Sequence, residues 1–65
     1  MDSQIIYKNV SDLAKQKKLS IMEIEKRAGL SNATIGKWQK SVPKISSVEA
    51  VARVLKVSVD RLLRE

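Results

Sequence analysis

Cysteine and histidine are both absent from this 65-residue chain. Their absence excludes disulfide staples, thiolate or imidazole metal sites, and the Ser-His and Cys-His nucleophile pairs. Phenylalanine is missing too, which leaves Tyr7 and Trp38 as the only aromatics. A platform for single-stranded nucleic acid needs several interleaved rings, so that class is disfavoured, as is non-specific RNA binding. The single proline and two glycines fall at joints, with no low-complexity tract and no internal repeat. No apolar run approaches the roughly 18 residues of a membrane span. The opening MDSQIIYK lacks a basic segment followed by an apolar signal core, so the expected location is cytoplasmic. The seven acids, Asp2, Asp12, Glu23, Glu25, Glu49, Asp60 and Glu65, are scattered without a partner for acid-base chemistry. No enzyme, metal or cofactor is expected.

What is present is positive charge. Thirteen Lys and Arg against those seven acids give a net charge of +6 and an isoelectric point near 10.0. Solubility alone can explain such a balance, so its distribution matters more than its size. Between residues 26 and 48 the charged side chains are Lys26, Arg27, Lys37, Lys40 and Lys44, with no acid among them. One contiguous third of the chain thus carries a field that attracts phosphates. The length fits one domain, residues 1–65. A chain near 60 residues buries only about 60% of its unfolded surface, so a partner subunit would add stability.

Ile6, Val10, Leu13 and Ala14 repeat at helical spacing and predict an amphipathic first helix over residues 3–17. Lys15, Lys17 and Lys18 sit in its last turn, where cations complement the helix dipole whether or not they also meet DNA. Ser20-Ile21-Met22-Glu23 has the pattern of a capping box and starts a second helix, residues 21–28, with Ile24 and Ala28 facing inward. Gly29 supplies the left-handed residue that ends it. Three residues later a third helix is predicted from Asn32, with Ser31 as its cap. Two short helices joined this closely make a helix-turn-helix.

On the third helix Ile35 and Trp38 share the inner face, while Asn32, Ala33, Gly36 and Lys37 lie largely opposite and form a slim polar surface able to enter a groove. Trp38 is assigned to the core by its spacing from Ile35. Residues 39–45 are predicted as a loop containing Pro43. A second capping box, with Ser46 as the cap and Glu49 opposite, opens a fourth helix whose stripe is Val48, Val51, Ala52 and Leu55. Ser58 caps a short fifth helix. Its apolar residues Val59, Leu62 and Leu63 exceed what so small a bundle can cover, which points to a homodimer contact.

The stretches LSIMEIEKRAGLSNATIGKWQ and PKISSVEAVARVLKVSVDRLL resemble the Cro/lambda-repressor-type helix-turn-helix proteins, the XRE family, over roughly residues 6–63. The likeness combines the Leu-Ser entry to the second helix, Gly-Leu-Ser at the turn, Thr-Ile in the third helix, a proline-containing loop and the ending Val-Ser-Val-Asp-Arg-Leu-Leu. It implies an all-α five-helix bundle whose third helix lies in the major groove of double-stranded DNA. It further implies base reading by Asn32, Ala33 and Lys37, and phosphate contacts by Ser31, Thr34, Lys40 and Lys44. Asn32 can pair with adenine, the Ala33 methyl can meet a thymine methyl, and Lys37 can donate to guanine. Ser31 can serve as a cap as well as a phosphate ligand, and Thr34 can instead bond back into its own helix.

Three positions depart from the family pattern. Ile21 stands where a DNA-touching Gln is common. Glu25 replaces a small residue that lets the second and third helices pack closely, so either its stem folds outward or the helices splay. Ala14 and Gln39 replace an Arg and a Glu that pair with each other, a joint loss that leaves no stranded charge. The function this implies is a transcriptional regulator, a repressor, reading a palindrome as a homodimer and having no evident small-molecule effector. The rival from a different class is a protein-interaction or antitoxin-like subunit that docks through the fifth helix or the Ile21 surface. Fold alone does not choose between them.

Overall fold

The apolar repeat of the first segment forms helix α1, Ser3–Gln16, in a computed structural model that describes residues 3–64. Helix α2, Ile21–Ala28, begins where the serine signal places it: Ser20 is extended, and its hydroxyl accepts from the Glu23 amide at 3.0 Å. The Glu23 carboxylate pairs with Arg27 at 3.3 Å, one turn on. Next comes a 3-10 helix, Ile35–Gln39, followed by α3, Ile45–Leu55, and α4, Val59–Leu63. The described residues are all-helical, with no strand.

Three helices end by one device. At α1, Leu19 N donates to Ala14 O and Lys18 N to Lys15 O; at α2, Leu30 N donates to Glu25 O and Gly29 N to Lys26 O; at α3, Val57 N donates to Ala52 O and Lys56 N to Arg53 O. Each is a Schellman closure, in which a left-handed residue lets the chain double back and satisfy the last carbonyls. The residue after each turn, Leu19, Leu30 or Val57, is apolar and packs against the core. Only α2 uses glycine, at φ 74°; Lys18 and Lys56 hold φ values of 58° and 59° with a full side chain. A Cβ in this region meets the following carbonyl and is disfavoured. Replacing Lys56 by Gly is therefore expected to stabilise the fold by about 1 kcal/mol, net of glycine's greater freedom when unfolded. A thermal melt checks this: a rise of roughly 4–8 °C is expected for a domain of this size, and no rise contradicts it.

The predicted stripes converge on one core. Ile6, Val10, Leu13 and Ala14 of α1 meet Ile24 of α2, Ile35 and Trp38 of the 3-10 helix, and Val48, Val51, Ala52 and Leu55 of α3. Helix α2 packs mainly on α3, and α1 on the 3-10 helix and α4. Trp38 is buried, as its spacing predicted.

Two boundaries differ from the sequence expectation. The third helix does not start at Asn32 with a Ser31 cap: residues 32–34 form a turn, Thr34 takes the cap position without a side-chain bond, and the helix that follows is 3-10. Helix α3 starts two residues early, at Ile45 rather than Ser47. Lys44, extended after Pro43, is the cap residue through its backbone alone, its carbonyl receiving the amides of Ser47 and Val48, so Ser46 lies inside the helix. Ser58 does cap α4, accepting from Arg61 N at 3.2 Å. Within α4, however, Leu62 is fully buried and completes the core. It offers no surface to a partner, and Val59 and Leu63 are half-buried against the same core. Asn9 of α1 secures this end by donating to the carbonyls of Leu62 at 2.8 Å and Arg64 at 2.6 Å.

Candidate nucleic-acid interface

The junction of the α2 turn, the 3-10 helix and the start of α3 leaves an open cleft of about 360 Å³. Ser31, Thr34, Lys37 and Lys44, four of the residues singled out from the sequence, line it. Ser41 and Ser47, which the sequence reading did not single out, add two more hydroxyls, and among the described residues no acid lines the cleft. Such a lining of hydroxyls and ammonium groups suits phosphate oxygens, which accept hydrogen bonds and carry negative charge. The apolar body of Trp38 lies at its base, itself held in the core.

The remaining candidates are placed elsewhere. Asn32 borders a second, smaller hollow of about 250 Å³ with Met22, Glu25, Lys26 and Leu30. Ala33 and Lys40 are exposed but line neither hollow. Base-reading candidates thus divide between two adjoining surfaces, Lys37 in the cleft and Asn32 beyond Leu30.

Among the described residues the ion pairs are Arg27 with Glu23 and Arg64 with Asp60, both exposed and one turn apart on their helices. Arg27 is thereby partly neutralised. Lys26, Lys37, Lys40 and Lys44 have no such acid partner among the described residues, so the positive field of this third of the chain comes from four lysines. Exposed pairs of the Arg27 kind are worth little to stability, about 0.3–0.5 kcal/mol, and the lysines contribute none of it.

Glu25 is the residue whose role the sequence left undecided. Its side chain does not fold outward; it turns inward and is only 3% exposed. One carboxylate oxygen accepts from Ala33 N at 3.3 Å and the other from Ile35 N at 2.8 Å. These include the amide of Ala33, one that a Ser31 cap would approach, and the intervening Thr34 amide is taken by the Ser31 carbonyl at 3.2 Å. The serine hydroxyl is therefore displaced from capping and stays exposed beside the cleft. Thr34 likewise makes no cap bond. Ala33 is held with φ at 66°, a left-handed conformation that a non-glycine residue seldom adopts.

The other two departures have simple outcomes. Ala14 is buried, and Gln39 is exposed with its amide donating to Gly36 O at 3.3 Å, so no buried charge is left over. Ile21 is half-buried against the core. Among the described residues the large apolar side chains that reach solvent are Met22, Val42 and Ile45, at 60%, 67% and 61% exposure, and none belongs to α4. No helix among the described residues is long and apolar enough to cross a membrane, and no group of acids is placed to hold a metal ion. No family of known proteins, no curated protein and no solved structure matches this chain.

Proposed function

We propose that this chain is a sequence-specific double-stranded DNA-binding regulator of the helix-turn-helix, XRE-like type. It acts as a cytoplasmic repressor and has no catalytic role. The observation that carries this reading is the cleft itself: four hydroxyls and two lysines gathered with no acid among the described residues. Phosphates seated there position the module, contributing affinity that falls with salt. Base edges are then read by Asn32, Ala33 and Lys37. The recognition element is a turn followed by a 3-10 helix, a variation on the regular recognition helix of the family it resembles. Two copies bind a palindrome with half-sites about one helical turn apart. The exposed Val42 and Ile45 beside the cleft favour, as the second reading, a protein partner on this face.

The deciding experiment is selection from a pool of random duplex DNA at near-physiological salt, followed by an affinity measurement on the winner. Enrichment of a palindrome is expected, with specific binding at least about a thousandfold above non-specific. Uniform recovery of all sequences, with affinity that merely collapses as salt rises, would sink the regulator reading and leave the protein-partner one.

A further inference from the structure

We infer that Glu25 is the positioning residue of the DNA-reading segment: its buried carboxylate holds residues 31–35 in the bent conformation that sets how Asn32, Ala33 and Lys37 meet the bases. This rests on the DNA-binding reading above and adds to it a determinant of sequence preference that does not itself touch DNA.

The argument runs through three consecutive amides. In a regular α-helix beginning after Ser31, the Ile35 amide would donate to the Ser31 carbonyl four residues back. Glu25 takes that amide instead, at 2.8 Å, and takes the Ala33 amide at 3.3 Å. The Ser31 carbonyl is left to the Thr34 amide, three residues on, and the three-residue pattern continues with Lys37 N donating to Thr34 O. Diverting one donor thus converts the start of an α-helix into a turn followed by a 3-10 helix. Ala33, which supplies the first of the two anchored amides, is held at positive φ. A residue keeps such a conformation only where its surroundings impose it. Here the imposing group is visible: a side chain that is 3% exposed and both of whose oxygens are engaged.

The geometry matters for recognition because of where side chains then fall. On a regular helix Ala33 and Lys37, one turn apart, would lie one above the other on a single face. With the carboxylate in place, Lys37 lines the cleft while Ala33 lines neither hollow. Glu25 itself borders the smaller hollow from beneath, on α2, so it reaches the reading segment without being part of it.

Glu25→Gln tests the assignment. The amide keeps the side chain's shape and one acceptor, but its NH2 group faces a backbone N–H and cannot accept. The variant and the unsubstituted protein are compared on the selected duplex and on a scrambled duplex, each over a range of salt. The expected result is an unchanged salt slope and unchanged affinity for the scrambled duplex, because the lysines are untouched, with a fall of tenfold or more in preference for the selected one. A residue that only supported the fold would lower both affinities together or neither, and either outcome overturns the inference. Amide hydrogen exchange on the unsubstituted protein supplies a readout that needs no variant to fold: Ala33 and Ile35 are expected to be protected together, and exchange as fast as at the exposed Val42 also overturns it. An unsubstituted protein that prefers no duplex over another removes the DNA-binding reading and this inference with it. A preference that Glu25→Gln retains removes this inference alone.

Discussion

Replacing Lys37, Lys40 and Lys44 together by glutamine is expected to weaken DNA binding on the order of 100-fold near 0.15 M salt. The figure follows from counterion release: each cationic contact to duplex DNA contributes about 0.9 to the slope of log affinity against log salt, so three lost contacts flatten the slope by roughly 2.7. All three side chains are exposed and make no ion pair among the described residues, so the fold should be untouched. The single variants separate positioning from reading. Lys40→Ala should weaken every duplex alike. Lys37→Ala should cost about 1–3 kcal/mol on the selected site and relax preference at one base pair. Fluorescence anisotropy at several salt concentrations supplies all of these numbers. If the triple variant binds DNA as before, or if cellular function survives it, the protein-partner reading replaces the regulator.

Leu62→Ala has the second large expected effect, and it bears on stability. Leu62 has no exposed surface, and truncating a leucine in such a site costs about 2–5 kcal/mol, from lost transfer free energy and the cavity left behind. Domains hold roughly 0.05–0.15 kcal/mol per residue, so for this chain the loss is a large part of the whole. Urea unfolding at two protein concentrations tenfold apart distinguishes a core role from a dimer role. A core leucine lowers the midpoint equally at both concentrations, whereas an interface leucine acts through association and shifts them unequally. Equal shifts are expected for Leu62. Unequal shifts would return it to the interface that the apolar surplus of the last helix first implied.

How much was legible in the sequence depends on whether the decisive group was a side chain with a strong habit. Ser20, Gly29 and Ser58 have such habits, and each is found doing what its residue type does at a helix end. The core stripes, Trp38 included, follow from spacing because burial depends on side-chain type and period. Lys18 and Lys56 were not legible as left-handed residues, since lysine has no preference for that region; the apolar residue after each, Leu19 and Val57, was the available signal. Ser46 misled because Pro43 and Lys44 start the helix with backbone groups alone. Glu25 could be noticed as unusual at its position but not resolved. Its partners are main-chain amides, which every sequence possesses and no sequence advertises. The candidate site divides the same way: Ser31, Thr34, Lys37 and Lys44 do come together, while Ser41 and Ser47 join them only through the path of the chain around Pro43.

The seam between α1 and α4 has a consequence for how the protein is made. Asn9 is bonded to a carbonyl 53 positions further along, and the core around Val10 and Leu13 is closed by Leu62. At translation rates of about 5–20 residues per second, the early helix waits roughly 3–10 seconds for the residues that cover it. During that interval its apolar stripe is open to chaperones, to proteases and to other nascent chains. A polypeptide interrupted before Leu62 would hold both lysines that line the cleft and still lack the side chain that closes the core behind them.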